Sequence, residues 1–208
     1  ANEQEKTYGD QLALDDTAFT ILDKDGDAVL PNREVVTNAT INSATGVDVS
    51  MDSNVGTYSD NISIAGMLTG SNGFNQENYD IIYVSGDLKI NRRPITLTAN
   101  QQEKIYGDVI ELDDTAFTAL DMDGDAVLPN GEVVTNVTIN SATGVDASTD
   151  SDVGTYSDNI SFAGTLTGSN GFDQENYDII YVSGDLKINP RSITLTANEQ
   201  EKTYGDQL

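Results

Sequence analysis

The chain repeats itself. Residues 1–98 align with residues 99–196 without a gap; 17 of the 98 positions differ and 81 are identical. Residues 197–208 then begin a third copy with the same twelve residues as 1–12. Whatever one copy folds into, the next must fold into as well, and the sequence reads as a window on a longer array. Modules in an array bury part of their surface against their neighbours. Enzymes gain little from tandem copies of one active site, whereas spacers and multivalent binders do. The repeat therefore points to a non-catalytic module.

One period, taken from residue 95, is rich in short alternating runs. Ile95-Thr-Leu-Thr-Ala99 has a period of two, which predicts a strand with one buried face. It continues through Gln102–Tyr106 to a turn at Gly107-Asp108. A continuous strand to that turn would stiffen the link between copies; a break near Asn100 would not. Asp113 or Asp114 caps a helical turn with Phe117 and Leu120 on one face, or the same segment is a strand. The β-branched run Glu132–Ile139 predicts a strand, and Asn140–Gly144 a turn.

Val153–Phe162 predicts another strand, with Gly164 marking a bulge or a close backbone contact. Asp173–Asn176 reads as a turn or short helix. Tyr177–Ile188 closes the period as one or two strands, with Ile179, Tyr181, Leu186 and Ile188 expected in the core. The predicted fold is all-β: two tandem β-sandwich or β-grasp-like repeat domains in an elongated array. Asn91–Pro94 and Asn189–Ser192 interrupt the pattern. They divide the chain into a first repeat domain at 1–91 lacking its first strand, a complete second at 92–189, and the start of a third at 190–208.

Composition closes off most chemistry. There is no Cys, His or Trp, so thiol, haem and Ser-His-Asp machinery have no parts. The formal charge of −25 opposes nucleic acid and anionic lipid. No apolar run reaches the ~18 residues of a membrane span, and no signal peptide opens the chain. Many carboxylates are present, but nothing sets two of them across a cleft as a hydrolase requires.

The acid content concentrates in one stretch per copy. Asp23, Asp25, Asp27 and Glu34, and again Asp121, Asp123, Asp125 and Glu132, stand at positions one, three, five and twelve of a calcium-loop pattern. Ca2+ takes six to eight oxygens, which makes these eight residues the candidate metal ligands. Position six departs from the pattern: it needs a left-handed backbone, and both copies place Ala there (Ala28, Ala126). Forcing Ala into that region costs on the order of 1–2 kcal/mol. The expectation is a calcium loop outside the EF-hand class, with a solvated acidic turn as the alternative. Asp146, Asp150, Asp152 and Asp158 form a weaker candidate. Asp87 and Asp185 are candidates to face the Tyr-Gly-Asp turn of the next copy across the junction. Lys6 and Lys89 recur as Lys104 and Lys187 and leave a Lys–Asn isopeptide bond open.

Ile95-Thr-Leu-Thr-Ala with Lys104-Ile-Tyr-Gly-Asp108, then Val153-Gly-Thr-Tyr156, then Tyr177-Asp-Ile-Ile-Tyr with Gly184-Asp-Leu-Lys-Ile188 resembles the MBG domain of the YGX type. The resemblance covers the whole chain. It implies a β-rich module in the stalk of a large secreted bacterial surface protein. The acidic composition is also similar to the extender repeats of RTX adhesins. On this reading the chain is a monomeric structural extender of a cell-surface adhesin, extracellular, as in biofilms. Its partners are the neighbouring repeats, and calcium stiffens it. The alternative is a multivalent glycan- or mucin-binding module of the same kind of adhesin.

Overall fold

The computed structural model describes residues 1–207, which are all-β. Their only helical pieces are four 3-10 turns of three residues each. The strands are β1 (Gln4–Thr7), β2 (Val35–Ser43), β3 (Gly56–Ser71), β4 (Gly86–Asn91), β5 (Arg93–Ala99), β6 (Gln102–Ile105), β7 (Phe117–Asp121), β8 (Val133–Ser141), β9 (Gly154–Ser169), β10 (Tyr177–Val182) and β11 (Gly184–Asn189). They build three sheets. Two are four-stranded and repeat one another, in the orders β1-β4-β3-β2 and β6-β11-β9-β8. The third, β10-β5-β7, belongs to the second repeat alone.

The alternation of β5 is realised as read, with Ile95, Leu97 and Ala99 buried. The run does not continue as one strand. At Asn100 the chain leaves the three-stranded sheet, with its N–H bonded to Ala116 O at 2.9 Å, and enters the four-stranded one as β6. β10 breaks into β11 at the same level. The two broken strands run side by side, β10 parallel to β5 and β11 parallel to β6. Gly184 sits at the break because a Cβ there would lie 2.4 Å from Ala99 O. The two sheets then share one core, with Ile95 and Leu97 from one and Ile160, Leu186 and Ile188 from the other.

The helical alternative for 113–120 is not the one adopted. Phe117–Asp121 pairs antiparallel with β5, and period two places Phe117 and Leu120 on opposite faces. Asp113 instead closes a local turn, its carboxylate accepting the N–H of Thr115 at 2.8 Å and its hydroxyl at 2.6 Å. Asp173 does cap a short turn, accepting from Glu175 N–H. The long strand β9 carries three register shifts, one beside Asp158 (φ 53) against β11 and two against β8, of which one spans Gly164 (φ 77). Tyr181 is half exposed rather than in the core, its ring 5.4 Å from that of Phe162.

Ala1 corresponds to Ala99, the last residue of β5, so β5 has no counterpart in the first repeat. The counterparts of β10 and β7, residues 79–84 and 19–23, accordingly carry no ladder. Among the described residues no helix is long and apolar enough to cross a membrane.

Candidate functional site: the junction between repeats

The acidic stretches form tight turns. Asp23 Oδ1 accepts the N–H groups of Asp25 and Asp27, each at 2.9 Å, and Asp121 does the same for Asp123 and Asp125. The left-handed residue of each turn is Gly26 or Gly124, at position four, so Ala28 and Ala126 are not strained. Asp25 pairs with Lys24 at 2.7 Å, and both are exposed. Glu34 and Glu132 are drawn elsewhere: each accepts a tyrosine hydroxyl at 2.7 Å, from Tyr79 and Tyr177. Among the described residues no three carboxylates gather as a metal set.

The weaker candidates also have local tasks. Asp87 and Asp185 accept the N–H of Asp60 and Asp158 inside their own repeats, at the β3 and β9 irregularities, and do not face the junction. The loop of Asp146 and Asp150 is held by an internal cation. Lys104 Nζ donates to the carbonyls of Val145, Asp146 and Ser148. Lys6 serves the same loop in the first repeat, donating to Val47 O at 2.5 Å, Asp48 O at 3.3 Å and Ser50 O. Burial pulls the Lys6 ammonium below its usual range.

The densest chemistry lies where the repeats meet. Only Arg92 separates β4 from β5, so the Tyr8-Gly9-Asp10 turn of the first repeat is pressed against the second. Tyr8 is 2 % exposed. Its ring meets Tyr177 edge-on, centroids 5.5 Å apart, and Tyr177 stacks on Phe172 at 5.3 Å. The Tyr8 hydroxyl donates to Glu132 Oε1, while Tyr177 holds Oε2. Glu132 is 3 % exposed, and a buried carboxylate is tolerable only when its oxygens are taken up. Here one donor comes from each repeat. Burial first, and the bond and charge of Glu132 second, push the Tyr8 hydroxyl up from 10.0 to about 12. Tyr177 moves further in the same direction for the same causes.

Gly9 explains the centre of the motif. Its φ is +84, and an added Cβ would lie 2.4 Å from Pro129 of the second repeat. Asp10 takes Arg93 Nη2, and Arg93 Nε donates to Tyr8 O at 2.8 Å, so the turn is clamped from the linker side. The Arg93 guanidinium thus supplies the positive charge opposite Asp10 at the junction. A second row of contacts flanks this knob. Asn176 accepts Val55 N–H at 2.9 Å and donates to Asn54 Oδ1 at 3.0 Å, and Asn130 donates to Met51 O at 3.1 Å. Residues 46–55 are the loop that Lys6 organises.

Residues 95–187 match the MBG domain, YGX type. This stretch belongs to that family. The comparisons with curated proteins and with solved structures returned no match. MBG domains are non-catalytic repeat modules of surface proteins. The Tyr-Gly-Asp turn of the MBG repeat is, in this chain, its docking element. Sequence reasoning recognised the turn and missed its task. The available signal was an aromatic placed on a turn, where exposure would otherwise be costly.

Proposed function

We propose that this chain is a section of a stiff spacer in a repetitive bacterial adhesin, holding a distal binding region away from the cell surface. The observation that carries this is the junction: Tyr8 of one repeat and Tyr177 of the next share the buried carboxylate of Glu132. A flexible linker between independent domains would need none of that. A charge-assisted hydrogen bond contributes roughly 1.5–3 kcal/mol, and an edge-on aromatic pair about 0.5–1.5 kcal/mol beyond its buried area. Near-identical copies reproduce the same junction along an array, so modest stiffness per link accumulates over its length.

Calcium enters this proposal as a counterion of the exposed acidic turns, not as the pin of the junction. The support is that each turn keeps its three aspartates, Asp23, Asp25 and Asp27 or Asp121, Asp123 and Asp125, and that the chain carries a charge of −25. Small-angle scattering separates the two parts. The expected maximum dimension is the same with calcium and with chelator, while calorimetry registers weak calcium binding and calcium raises the melting temperature. No heat and no thermal shift would remove calcium and leave the spacer reading intact. A dimension that collapses in chelator would contradict a junction held by Tyr8, Tyr177 and Glu132.

A further inference from the structure

Four tripeptides of this chain have the form Asn-x-Ser/Thr. They are Asn38-Ala39-Thr40 and Asn61-Ile62-Ser63 in the first repeat, and Asn136-Val137-Thr138 and Asn159-Ile160-Ser161 in the second. That form is the acceptor of N-linked glycosylation, and it places the modified asparagine on the surface of a secreted protein. It also arises by chance in a chain rich in Asn, Ser and Thr, so the folded geometry has to sort the four.

The fold closes one pair. Asn61 and Asn159 are 4 % and 2 % exposed. Both ends of each amide are occupied. Asn159 Nδ2 donates to Thr143 Oγ1 at 2.6 Å, and its Oδ1 accepts the Ser141 hydroxyl at 2.7 Å. Asn61 makes the same two bonds with Thr45 and Ser43, both at 2.7 Å. The Ser161 and Ser63 hydroxyls donate to Asn140 O and Asn42 O at 3.3 Å. These side chains hold strands together and offer nothing to solvent.

The fold opens the other pair. Asn136 and Thr138 lie on β8, the outermost strand of its sheet, two residues apart and therefore on one face. Both are exposed, while Val137 between them turns inward and is 2 % exposed. The ladder to β9 shifts register on either side of Asn136, which loosens the strand there. A side chain in place of Gly164 would begin 3.4 Å from Thr138 Oγ1; glycine leaves that hydroxyl uncovered. Among the described residues the side chains of Asn136 and Thr138 make no hydrogen bond; Asn136 gives only its backbone carbonyl, to Thr167 Oγ1 at 3.5 Å. The first repeat has the same arrangement, with Asn38 and Thr40 exposed, Ala39 at 0 % and Gly66 at 3.5 Å from Thr40 Oγ1. One of the differences between the copies falls inside this tripeptide, at Ala39 and Val137, and leaves its form intact.

We propose that Asn38 and Asn136 are acceptor sites for N-linked glycosylation of the folded chain. The donor is a nucleoside-diphosphate sugar. The Asn Nδ2 bonds to the anomeric carbon, the bond from that carbon to the diphosphate breaks, the nucleoside diphosphate leaves with the electron pair, and one amide proton passes to a base of the transferase. The sugar then stands once per repeat on the solvent face of an outermost strand. A bulky hydrophilic group there obstructs edge-to-edge pairing between neighbouring chains. The inference does not depend on the spacer reading.

The test incubates the intact folded protein with a soluble transferase specific for Asn-x-Ser/Thr and its nucleoside-diphosphate hexose, beside a synthetic peptide of residues 133–141 that reports on the enzyme. The intact mass is expected to rise by two hexoses, and peptide mapping to place them on Asn38 and Asn136. Asn136→Gln and Thr138→Ala change exposed side chains, and each is expected to lose one hexose, whereas Thr138→Ser keeps both. A folded protein left unmodified while the peptide is modified overturns the proposal. So does hexose on Asn61 or Asn159, or hexose retained on Asn136 in Thr138→Ala.

Discussion

Glu132 is the residue on which the two readings of this sequence diverge. Spacing alone made it the twelfth position of a calcium loop, and the structure gives it two tyrosines. The spacing is real, but a carboxylate goes where its donors are, and the donors are far off in sequence: Tyr177 is 45 residues away and Tyr8 is 124. No local pattern encodes that meeting. Gly9 was legible as a turn residue, yet its need for Gly comes from Pro129 as much as from its own φ. Tyr8→Phe keeps the ring and removes one donor from a buried carboxylate. The expected loss is about 1–3 kcal/mol of junction stability, read by chemical denaturation. A pH titration gives an independent reading. The Tyr8 proton is held more tightly in the folded state, so the stability it contributes is complete below pH 10 and lost as pH rises from there through about 12. Tyrosinate absorbance is expected to show one late-titrating group near 12 that moves earlier in Glu132→Gln. A titration unchanged by that substitution would place the cause elsewhere.

At the scale of elements, strands with alternating burial were readable because period two leaves a direct mark on the sequence. β5, β8 and β11 lie where Ile95–Ala99, Glu132–Ile139 and Leu186–Ile188 put them. What did not show was pairing. Neighbouring strands suggest antiparallel hairpins, whereas the centre of the second repeat is two parallel pairs, β10 with β5 and β11 with β6. The break at Asn100 was open on sequence because nothing there forbids extension; the turn to Ala116 and the close approach of Gly184 decide it. The task of the buried lysines was not legible for a similar reason. In a strand of β1 or β6 a Lys reads as solvent-facing, but Lys6 reaches three carbonyls across 41 to 44 residues. Replacing it by Met keeps the apolar stem and removes every donor. Lys6→Met is expected to cost roughly 2–3 kcal/mol, the penalty of leaving buried carbonyls unpaired. Hydrogen exchange should then quicken across residues 46–55, the loop that touches Asn130 and Asn176. Unchanged protection in that loop would detach Lys6 from the junction.

For the whole molecule, the sequence repeat predicted an array, and the family match places the module among surface proteins. The stiffness we propose was legible in neither, because it would depend on side chains from two copies meeting in one buried cluster. In the proposed spacer Tyr8, Arg93, Glu132, Asn176 and Tyr177 fix the angle between repeats. The chain has no Cys, so two spin labels can be placed at will. Met67→Cys and Thr165→Cys occupy equivalent exposed sites of the two repeats. Pulsed electron paramagnetic resonance on the labelled protein, diluted with unlabelled protein and in chelator, should give one narrow distance distribution that broadens when Tyr8 is changed to Ala. A broad distribution with Tyr8 intact would contradict the account.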